Sequence, residues 1–494
     1  MMRFWNNRNG LWAALLAWLI LGVIVIDKNV YGLNEGGARD LLYVWSVIDH
    51  VANPIILAGT PDLRTFFFIP VGLYWTGSVL AAKIFTLVIA GISIILLFQW
   101  AQRRFGHETA LITSGLLLIA PLSLYEINSL GAGIYCLLCF ALSTPLDQRF
   151  RKSPIAFSGY YFSQLFFVAV AVSLHPMGLA YPLALAQQWR RNPVNSSLQK
   201  QILYGVGITS LLFTGLRLGW QDLDWLSNPL VSLGYIILGP NQQGLFGASY
   251  GVWGGILLLL TALLIFFKHK TLREDLCGAS LLYSCVIGLL VADTAWALMV
   301  MALMFYTGIA QLLHWHTHLK VRNFIGQRGI VLALILLLGI QFMLNAKTQY
   351  LLAQKQILTP TDQLLFALSL EVQQNQMELK LAQEQENKNP HDPQLKLHLA
   401  FLEKNTPRIA SQWPARTMVA CQCFVVPLPP PQDTPEKQLQ ILGGAITHLV
   451  FDHQAKKNQA LVANIAQLSG QLETTIQGMG GVVVRVRAMA KPAS

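Results

Sequence analysis

The chain has 494 residues, of which 54% are hydrophobic and only 12% are charged. Soluble globular domains carry about 25% charged residues, so this composition excludes an ordinary, fully solvated protein. Lysine and arginine number 35 and aspartate and glutamate 24, which gives a net charge of +11. Such an excess is typical of nucleic-acid binding, of attraction to an anionic membrane or of membrane topology signals. The positions of the charges decide among these three.

Long apolar runs separate the clusters of charged residues. A bilayer core of about 30 Å is crossed by a helix of roughly 20 apolar residues, and many of the runs approach that length. The sequence therefore predicts an α-helical polytopic membrane protein with about 11 transmembrane helices. The predicted spans are 9–26, 79–100, 109–125, 130–146, 157–174, 176–189, 201–218, 246–267, 276–292, 295–313 and 329–346.

Lysine and arginine are distributed unevenly between the two sides of these spans. Short cytoplasmic loops collect such residues, and with the N-terminus inside, sixteen lie in inside segments and five in outer loops or at membrane edges. The inside residues are Arg3, Arg8, Arg103, Arg104, Arg149, Arg151, Lys152, Arg190, Arg191, Lys200, Lys268, Lys270, Arg273, Lys320, Arg322 and Arg328, and the others are Lys28, Arg39, Arg64, Lys83 and Arg217. The pattern predicts an integral protein of the cytoplasmic (inner) membrane with its N-terminus in the cytoplasm. Nucleic-acid binding loses its main support.

The stretch 27–78 is a long predicted outer loop after the first span. Its residues 38–51 place apolar and charged side chains on different sides of a helix, which is typical of a helix at a membrane surface. Residues 66–77 are rich in aromatic side chains, too short to span and suited to the interface. We expect this loop to cover the bilayer as part of a transmembrane domain, residues 1–346.

Residues 347–494 are predicted to form a second, extracytoplasmic domain. Leucines spaced for amphipathic helices occupy 361–405, with a break near Asn389 and Pro390. Strand and helix patterns alternate over 418–490, which indicates an α/β module with a partly parallel sheet. The predicted elements are a strand at 418–426, a helix at 434–445 capped by Thr434, a strand at 447–452, a helix at 458–470 and a strand at 482–488.

Six cysteines are too few and too scattered for a disulfide framework. Cys136 and Cys139 lie inside an apolar run, where a helical i, i+3 pair is most simply core packing. Cys421 and Cys423 lie two apart in the predicted strand, hence on one face. That spacing suits neither a mutual disulfide nor a tetrahedral zinc site.

Acidic residues at the outer ends of the spans are the first candidates for function, because a charge near the bilayer centre costs several kcal/mol. Glu35 and Asp40 flank Gly36, Gly37 and a basic residue just before the surface helix. The alternative is a helix start at Asn34 or Glu35 with an Arg39–Asp40 charge pair.

Glu126 is the acidic candidate in the next outer turn, and its alternative is a solvated turn residue. Short loops place residues 35–40 and 126 on the same membrane face. We therefore expect these carboxylates to converge.

Two residues are candidates for binding a lipid phosphate. Lys83 lies at the outer end of the second span, where it suits a phosphate at headgroup depth or simple snorkelling to ordinary phospholipid. His175 precedes Pro176 in an otherwise apolar stretch. Its ring could bind a phosphate, ligate a metal or be satisfied by a backbone carbonyl, and the last interpretation is favoured.

The order of these features resembles the polyprenyl-phosphate-dependent membrane glycosyltransferases of the GT-C class, which include protein mannosyltransferases and aminoarabinose transferases of lipid A. The resemblance is carried by the acidic residue before the interfacial helix, by IPVGLYW at 69–75 and by the second span, AAKIFTLVIAGISIILLFQWAQRRFG. ALITSGLLLIAPLSLYEINSLGAGIY, the break at His175-Pro176 and the α/β domain after the last span extend it over nearly the whole chain in layout.

The resemblance implies transfer of a sugar from a lipid phosphate to an acceptor on the outer face, with inversion at the anomeric carbon. It implies a catalytic acid in the first outer loop, which matches Asp40 best and Glu35 second, and another acidic position that matches Glu126. Lys83 matches a basic residue early in the second span. Further candidates for binding the phosphate are His175, Arg217 and Arg39. A lipid-linked sugar donor and membrane lipids are the implied partners.

The sequence departs from the class in lacking the adjacent Asp-Glu pair of the protein mannosyltransferases and the Trp-Trp-Asp motif of the oligosaccharyltransferases. Some members use a divalent cation, which two nearby carboxylates would allow; the sequence leaves the cofactor unknown. A second hypothesis is a non-catalytic subunit of a membrane or envelope complex that binds a protein partner through 361–405. A transporter ranks third, because polar residues in mid-span are nearly absent.

Overall fold

The computed structural model describes residues 32–49, 79–152, 158–191, 274–288, 294–318, 360–404, 406–442, 446–455, 458–468, 470–478 and 480–486, with residue 272 and scattered residues between 12 and 26 and between 197 and 210. The chain divides into two compact units, Met1–Lys28 with Thr60–Lys355 and Asn29–Gly59 with Gln356–Ser494. Residues 29–59 thus group with the C-terminal residues, although the sequence assigns the loop 27–78 to the first domain. The functional division into 1–346 and 347–494 stays a prediction.

The described helices begin with α1 (Glu35–Asp49), which belongs to the second unit. Those of the first unit are α2 (Val79–Phe105), α3 (His107–Ile119), α4 (Pro121–Asn128), α5 (Ala132–Lys152), α6 (Gly159–Leu174), α7 (Ala180–Arg191), α8 (Leu276–Ile287) and α9 (Thr294–His318). Helix α2 packs against α3 and α5, α7 against α8, and α9 against α3. They form a helical bundle.

One helix in the described part of the chain, α2, is by itself long and apolar enough to cross a membrane: its 27 residues include an 18-residue window with a mean hydropathy of 2.5. Helices α3 and α4 qualify together as one span bent by 50°. The count of about 11 spans is therefore not confirmed. The predicted spans 9–26, 201–218, 246–267 and 329–346 lie wholly or largely outside the described residues, and 157–174 and 276–292 extend beyond them at one end.

Proline marks two interruptions in this bundle. The predicted span 109–125 is two helices, because Ala120 is extended and Pro121 opens α4 at a position where its missing N–H costs nothing. The predicted break at His175-Pro176 is confirmed, since α6 ends at Leu174 and a 3-10 turn, Pro176–Leu179, precedes α7.

A buried aspartate ties α2 to the start of α8. Asp275 accepts hydrogen bonds from the indole Nε1 of Trp100 at 2.7 Å and from Nε of Arg104 at 2.8 Å. Its other oxygen accepts from the backbone N–H of Gly278 at 2.8 Å and so caps α8. Three donors compensate the burial of this carboxylate.

A second aspartate connects α5 and α7 with the same residue types. Asp147 accepts from the indole Nε1 of Trp189 at 3.0 Å and from Nε of Arg151 at 2.7 Å. Phe150 stacks on Trp189 with ring centroids 5.8 Å apart. These contacts, like those of Asp275, join helix ends that carry basic residues predicted to be cytoplasmic.

The second unit has a mixed sheet covered by helices. After α1 its described elements are α10 (Pro360–Lys388), α11 (Pro393–Lys404), β1 (Ile409–Ser411), α12 (Pro414–Cys421), β2 (Val425–Pro427), α13 (Pro435–Leu442), β3 (His448–Phe451), α14 (Gln459–Gln467), β4 (Leu472–Gly478) and β5 (Gly481–Val486). The strand order is β2-β1-β3-β5-β4. Strand β1 is parallel to β2 and β3, and β5 is antiparallel to β3 and β4. The predicted partly parallel sheet is confirmed.

The core of this unit lies on both faces of the sheet. On one face, leucines of α10 such as Leu368 pack with Val450 and Val483 and with Cys421 at the end of α12. On the other face, Phe451 packs with residues of α13 and α14, including Leu442 and Leu461. The unit is therefore a three-layer α/β arrangement.

One predicted strand of this module is wrong. Residues 418–426 contain the end of α12 and the start of β2, separated by Gln422, whose backbone is left-handed with φ 51°. The premise that Cys421 and Cys423 share a strand face fails with it. A hydrogen bond with Cys423 and burial both raise the pKa of the Cys421 thiol, which keeps it protonated. The predicted helices at 434–445 and 458–470 and strands at 447–452 and 482–488 correspond, within the described residues, to α13, α14, β3 and β5.

The predicted pair of helices at 361–405 is also confirmed. Helices α10 and α11 pack together, and the chain turns between them at Asn389 and Pro390. The buried side chains of α10 lie mostly before Val372, and α11 has none. The far half of the hairpin therefore adds little to the core of the unit.

A buried histidine links α10 to the sheet and gives a pH-dependent contact. Nε2 of His448 lies 3.3 Å from Oε1 of Glu371, Nδ1 lies 2.8 Å from Oγ1 of Thr447, and Arg485 is opposite His448 in the sheet register. The hydrogen bond to His448 holds the pKa of Glu371 below its ordinary value.

We expect Glu371 to stabilise the unit at neutral pH and not in acid. Its lowered pKa means that this stabilisation is present above the ordinary pKa of 4.5 and is lost as the pH falls through the folded-state value. Glu371→Gln should lower the melting temperature near neutral pH and have a smaller effect in acid, measured by thermal unfolding across pH. Glu378→Gln, at an exposed position of the same helix, is the control. Equal losses from Glu371→Gln at both pH values would contradict the expectation.

Candidate functional site

Asp40 lies in the middle of α1 and is 1% exposed. Its neighbours Ala38, Leu41 and Leu42 are also buried. The side chain of Asn34 accepts a hydrogen bond from the N–H of Gly37 at 2.6 Å, so α1 starts with the predicted cap. A carboxylate thus sits on the packed face of a defined helix.

Glu35 opens α1, and its carboxylate contacts the start of α12. Oε1 accepts from the N–H of Ala415 at 2.8 Å and Oε2 from that of Arg416 at 3.2 Å. The guanidinium of Arg39 lies 4.0 Å from Oε1. Burial raises the pKa of Glu35, and the two backbone hydrogen bonds and the arginines oppose that shift. Arg39 thus pairs with Glu35, and the Arg39–Asp40 charge pair stays a prediction.

Glu126 is buried on α4 rather than solvated in a turn. Its Oε1 accepts from Oγ1 of Thr294 at 2.6 Å, and its Oε2 accepts from the N–H of Gly133 at 3.0 Å. Thr294 begins α9 and Gly133 lies in the first turn of α5. The carboxylate therefore faces two helix N-termini, where the partial positive charge stabilises an anion.

Glycines make the space for this carboxylate. A Cβ added at Gly131 would overlap the carboxylate of Glu126, and one at Gly133 would lie 2.7 Å from its Oε2 and 3.0 Å from Cα of Ala295. The sequence interpretation missed Thr294 and both glycines. The two glycines, five and seven positions after Glu126, are the sequence feature that could have indicated a closely packed carboxylate.

Lys83 is fully buried on α2, one turn before Thr86. Oγ1 of Thr86 lies 2.8 Å from the hydroxyl of Tyr135, which joins α2 to α5. Helix α4, which carries Glu126, also packs against α2 and α5. This burial does not favour simple snorkelling to phospholipid.

His175 is buried in the break between α6 and the 3-10 turn. Its Nδ1 accepts a hydrogen bond from the N–H of Met177 at 3.2 Å. The partner of Nδ1 is thus a backbone N–H, and the favoured interpretation of a backbone carbonyl as partner stays a prediction. This contact assigns Nδ1 as the acceptor, so the neutral ring carries its proton on Nε2 and can donate from there.

The candidates divide between the two units. Glu35, Arg39 and Asp40 lie in the second, and Lys83, Glu126 and His175 in the first. Arg217 lies outside the described residues. The convergence of all of them on one site stays a prediction.

Metal binding has no site in the part of the chain that the structure describes: no group of three or more His, Cys, Asp or Glu side chains is placed to hold an ion. Both oxygens of Glu126 accept hydrogen bonds from protein donors. Each of the two carboxylate oxygens of Glu35 does the same.

The fold is similar to that of the archaeal oligosaccharyltransferase AglB from Archaeoglobus fulgidus, solved in complex with an inhibitory peptide and a dolichol-phosphate. The identity is 11%, the match covers 93% of this chain and 72% of that chain, and the TM-score is 0.52. The apo form of the Archaeoglobus fulgidus oligosaccharyltransferase matches with the same identity and coverage and a TM-score of 0.53. ArnT from Cupriavidus metallidurans, bound to undecaprenyl phosphate, matches over 97% of this chain and 98% of its own, with 11% identity and a TM-score of 0.46.

No protein-family model and no curated protein matches the sequence. AglB is a glycosyltransferase of the GT-C type. At 11% identity the likeness to AglB shows the fold. The resemblance to the GT-C class that the sequence predicts is therefore confirmed at that level.

Proposed function

We propose that the chain, which has a GT-C-like fold, is a membrane glycosyltransferase that moves a sugar from a polyprenyl-phosphate donor to an acceptor on the outer face of the membrane. The observation that carries the proposal is the similarity to AglB, an oligosaccharyltransferase solved with a dolichol-phosphate. The buried side chains of Asp40, Glu126 and Lys83 support it. Burying a charged group destabilises a fold, so such groups often mark a functional site.

In the proposed reaction, the carboxylate of Asp40 takes the proton of an acceptor hydroxyl or amine. The oxygen or nitrogen of that group forms a bond to the anomeric carbon at the same time. The bond from this carbon to the phosphate oxygen breaks on the opposite side, so the configuration inverts. The electron pair leaves with the polyprenyl phosphate. Lys83, with Nε2 of His175 or with Arg217, offsets the charge that grows on the leaving group.

The same proposal includes the membrane in which the protein lies and the side on which each domain is placed. The arginine and lysine distribution supports a cytoplasmic N-terminus in the inner membrane, with residues 347–494 extracytoplasmic. In that orientation Asp40, Glu35 and Glu126 are all on the outer side.

The lipid donor gives the direct test. We expect the protein purified with native lipids to carry a polyprenyl phosphate, identified by mass spectrometry of the extracted lipids. Lys83→Ala should reduce the amount bound more than it reduces turnover of added donor at saturation, because its role is to hold the phosphate. Arg408→Ala, at an exposed basic position of the second unit, is the control. If the wild-type protein carries only bulk phospholipid and binds no added polyprenyl phosphate, the proposal fails.

A second candidate function is that of a non-catalytic subunit of a membrane or envelope complex. The observation that favours it is the α10–α11 hairpin, which exposes large apolar side chains to solvent. These are Leu370, Met377, Leu381, Leu397 and Phe401. Apolar side chains in such a row suit a protein partner. This alternative predicts that Asp40 can be replaced without loss of function, whereas the hairpin cannot.

A further inference from the structure

Helix α12 is capped by a side chain from a distant part of the sequence. Trp413 occupies the N-cap position, and its side chain makes no capping hydrogen bond. The free N–H groups of the first turn, those of Ala415 and Arg416, donate instead to Glu35, 380 and 381 residues earlier. Glu35, in the predicted first outer loop, thus supplies the hydrogen-bond acceptor that the residues just before α12 lack.

The contact between Glu35 and α12 lies near the carboxyl end of β1, because α12 starts three residues after that strand. Strand β1 is between β2 and β3, and the chain reaches β2 through α12 and then returns to β3 on the other side of β1. Open α/β sheets bind ligands beyond the carboxyl ends of their strands at such a reversal of strand order. Helix N-termini there attract anions. In this unit the anionic group is the carboxylate of Glu35.

Further charges extend the contact to a third helix. The guanidinium of Arg416 lies 2.6 Å from Oδ1 of Asp362, a buried residue in the first turn of α10. Arg39 lies next to Glu35 on α1. Helices α1, α10 and α12 are therefore joined at one point by groups of alternating charge.

Asp40 is five residues after Glu35 on the same helix. Because five residues of an α-helix have a regular geometry, anchoring α1 at Glu35 also constrains where Asp40 lies. We propose that Glu35 is a positioning residue: by capping α12 it anchors α1 on the α/β unit and fixes the place of the base, Asp40. The inference rests on the proposed transferase function.

The test measures the anchor and the reaction separately in the full-length protein. Glu35→Ala should increase hydrogen–deuterium exchange at Ala415, Arg416 and residues 35–49. It should also lower kcat by about 10²-fold, the effect of a displacement of about 1 Å, with little change in KM for the lipid donor. Glu35→Gln keeps one acceptor oxygen and should lie between Glu35→Ala and wild type. Glu436→Gln, an exposed glutamate in the first turn of α13, is the matched control.

The pH profile separates positioning from catalysis. In Glu35→Ala the apparent pKa of the rate profile should stay that of the wild type, because Asp40 is still the base. Unchanged exchange in Glu35→Ala would overturn the anchor, and increased exchange with unchanged kcat would overturn the positioning role. Full activity of Asp40→Asn would count against the proposed function itself, whatever the exchange shows.

Discussion

Asp40→Asn is expected to lower the rate of sugar transfer by about 10²–10⁴-fold, the usual effect of losing a general base. Asparagine has nearly the size of aspartate, so the packing of α1 around position 40 should be kept while the proton acceptor is lost. Single-turnover transfer from a polyprenyl-phosphate sugar to the acceptor measures this. Binding of the lipid donor should change little, since Asp40 acts on the acceptor.

Two comparisons make that result specific. Asp433→Asn changes an exposed aspartate of the same unit and should leave the rate unchanged. The melting temperature of Asp40→Asn should stay close to that of the wild type, which separates a chemical defect from unfolding. Transfer at the wild-type rate by Asp40→Asn would remove Asp40 as the base and favour the non-catalytic subunit.

Asp275→Ala should be the most destabilising of the aspartate substitutions in the first unit. It leaves the indole N–H of Trp100 and the guanidinium of Arg104 without their carboxylate and removes the cap of α8. Hydrogen bonds to a charged group contribute about 1.5–3 kcal/mol each, and a cap about 1 kcal/mol. Arg104 is partly exposed, which reduces its share, so we expect a total loss of about 3 kcal/mol.

Thermal unfolding in detergent measures the effect on the first unit. Asp275→Asn retains an oxygen for the N–H of Gly278 but offers an amide group to the other donors, so its loss should be smaller. Asp433→Ala, in the second unit, should leave the unfolding of the first unit unchanged. A melting temperature for Asp275→Ala equal to that of the wild type would mean that the links to α2 and the cap of α8 contribute nothing to stability.

The sequence predicts the parts of this structure that depend on local chemistry. Proline explains the break at His175-Pro176 and the turn after Asn389, and Asn34 starts α1 as its side chain requires. Helices α13 and α14 and strands β3 and β5 follow from residue patterns of the same kind. These features need no information from distant residues.

The errors arise where distant residues decide the structure. Residues 418–421 are apolar enough for a strand, yet they end a helix that is capped by Glu35 and packed against α1. The sequence left Glu126 open between a site residue and a solvated turn residue, because no residue near it in sequence indicates Thr294 as its partner. Lys83 and His175 are likewise buried by helices that local patterns cannot assemble.

The cap that joins residue 35 to residues 415 and 416 also has a consequence for biosynthesis. A ribosome makes the N-terminal partner first, and the donor groups of α12 emerge 380 residues later. The second unit, which combines 29–59 with 356–494, can therefore be completed only after the intervening first unit has been synthesised. Native assembly of the unit that holds Asp40 thus follows the synthesis of every predicted membrane span, and a fragment that starts at residue 356 lacks the cap altogether.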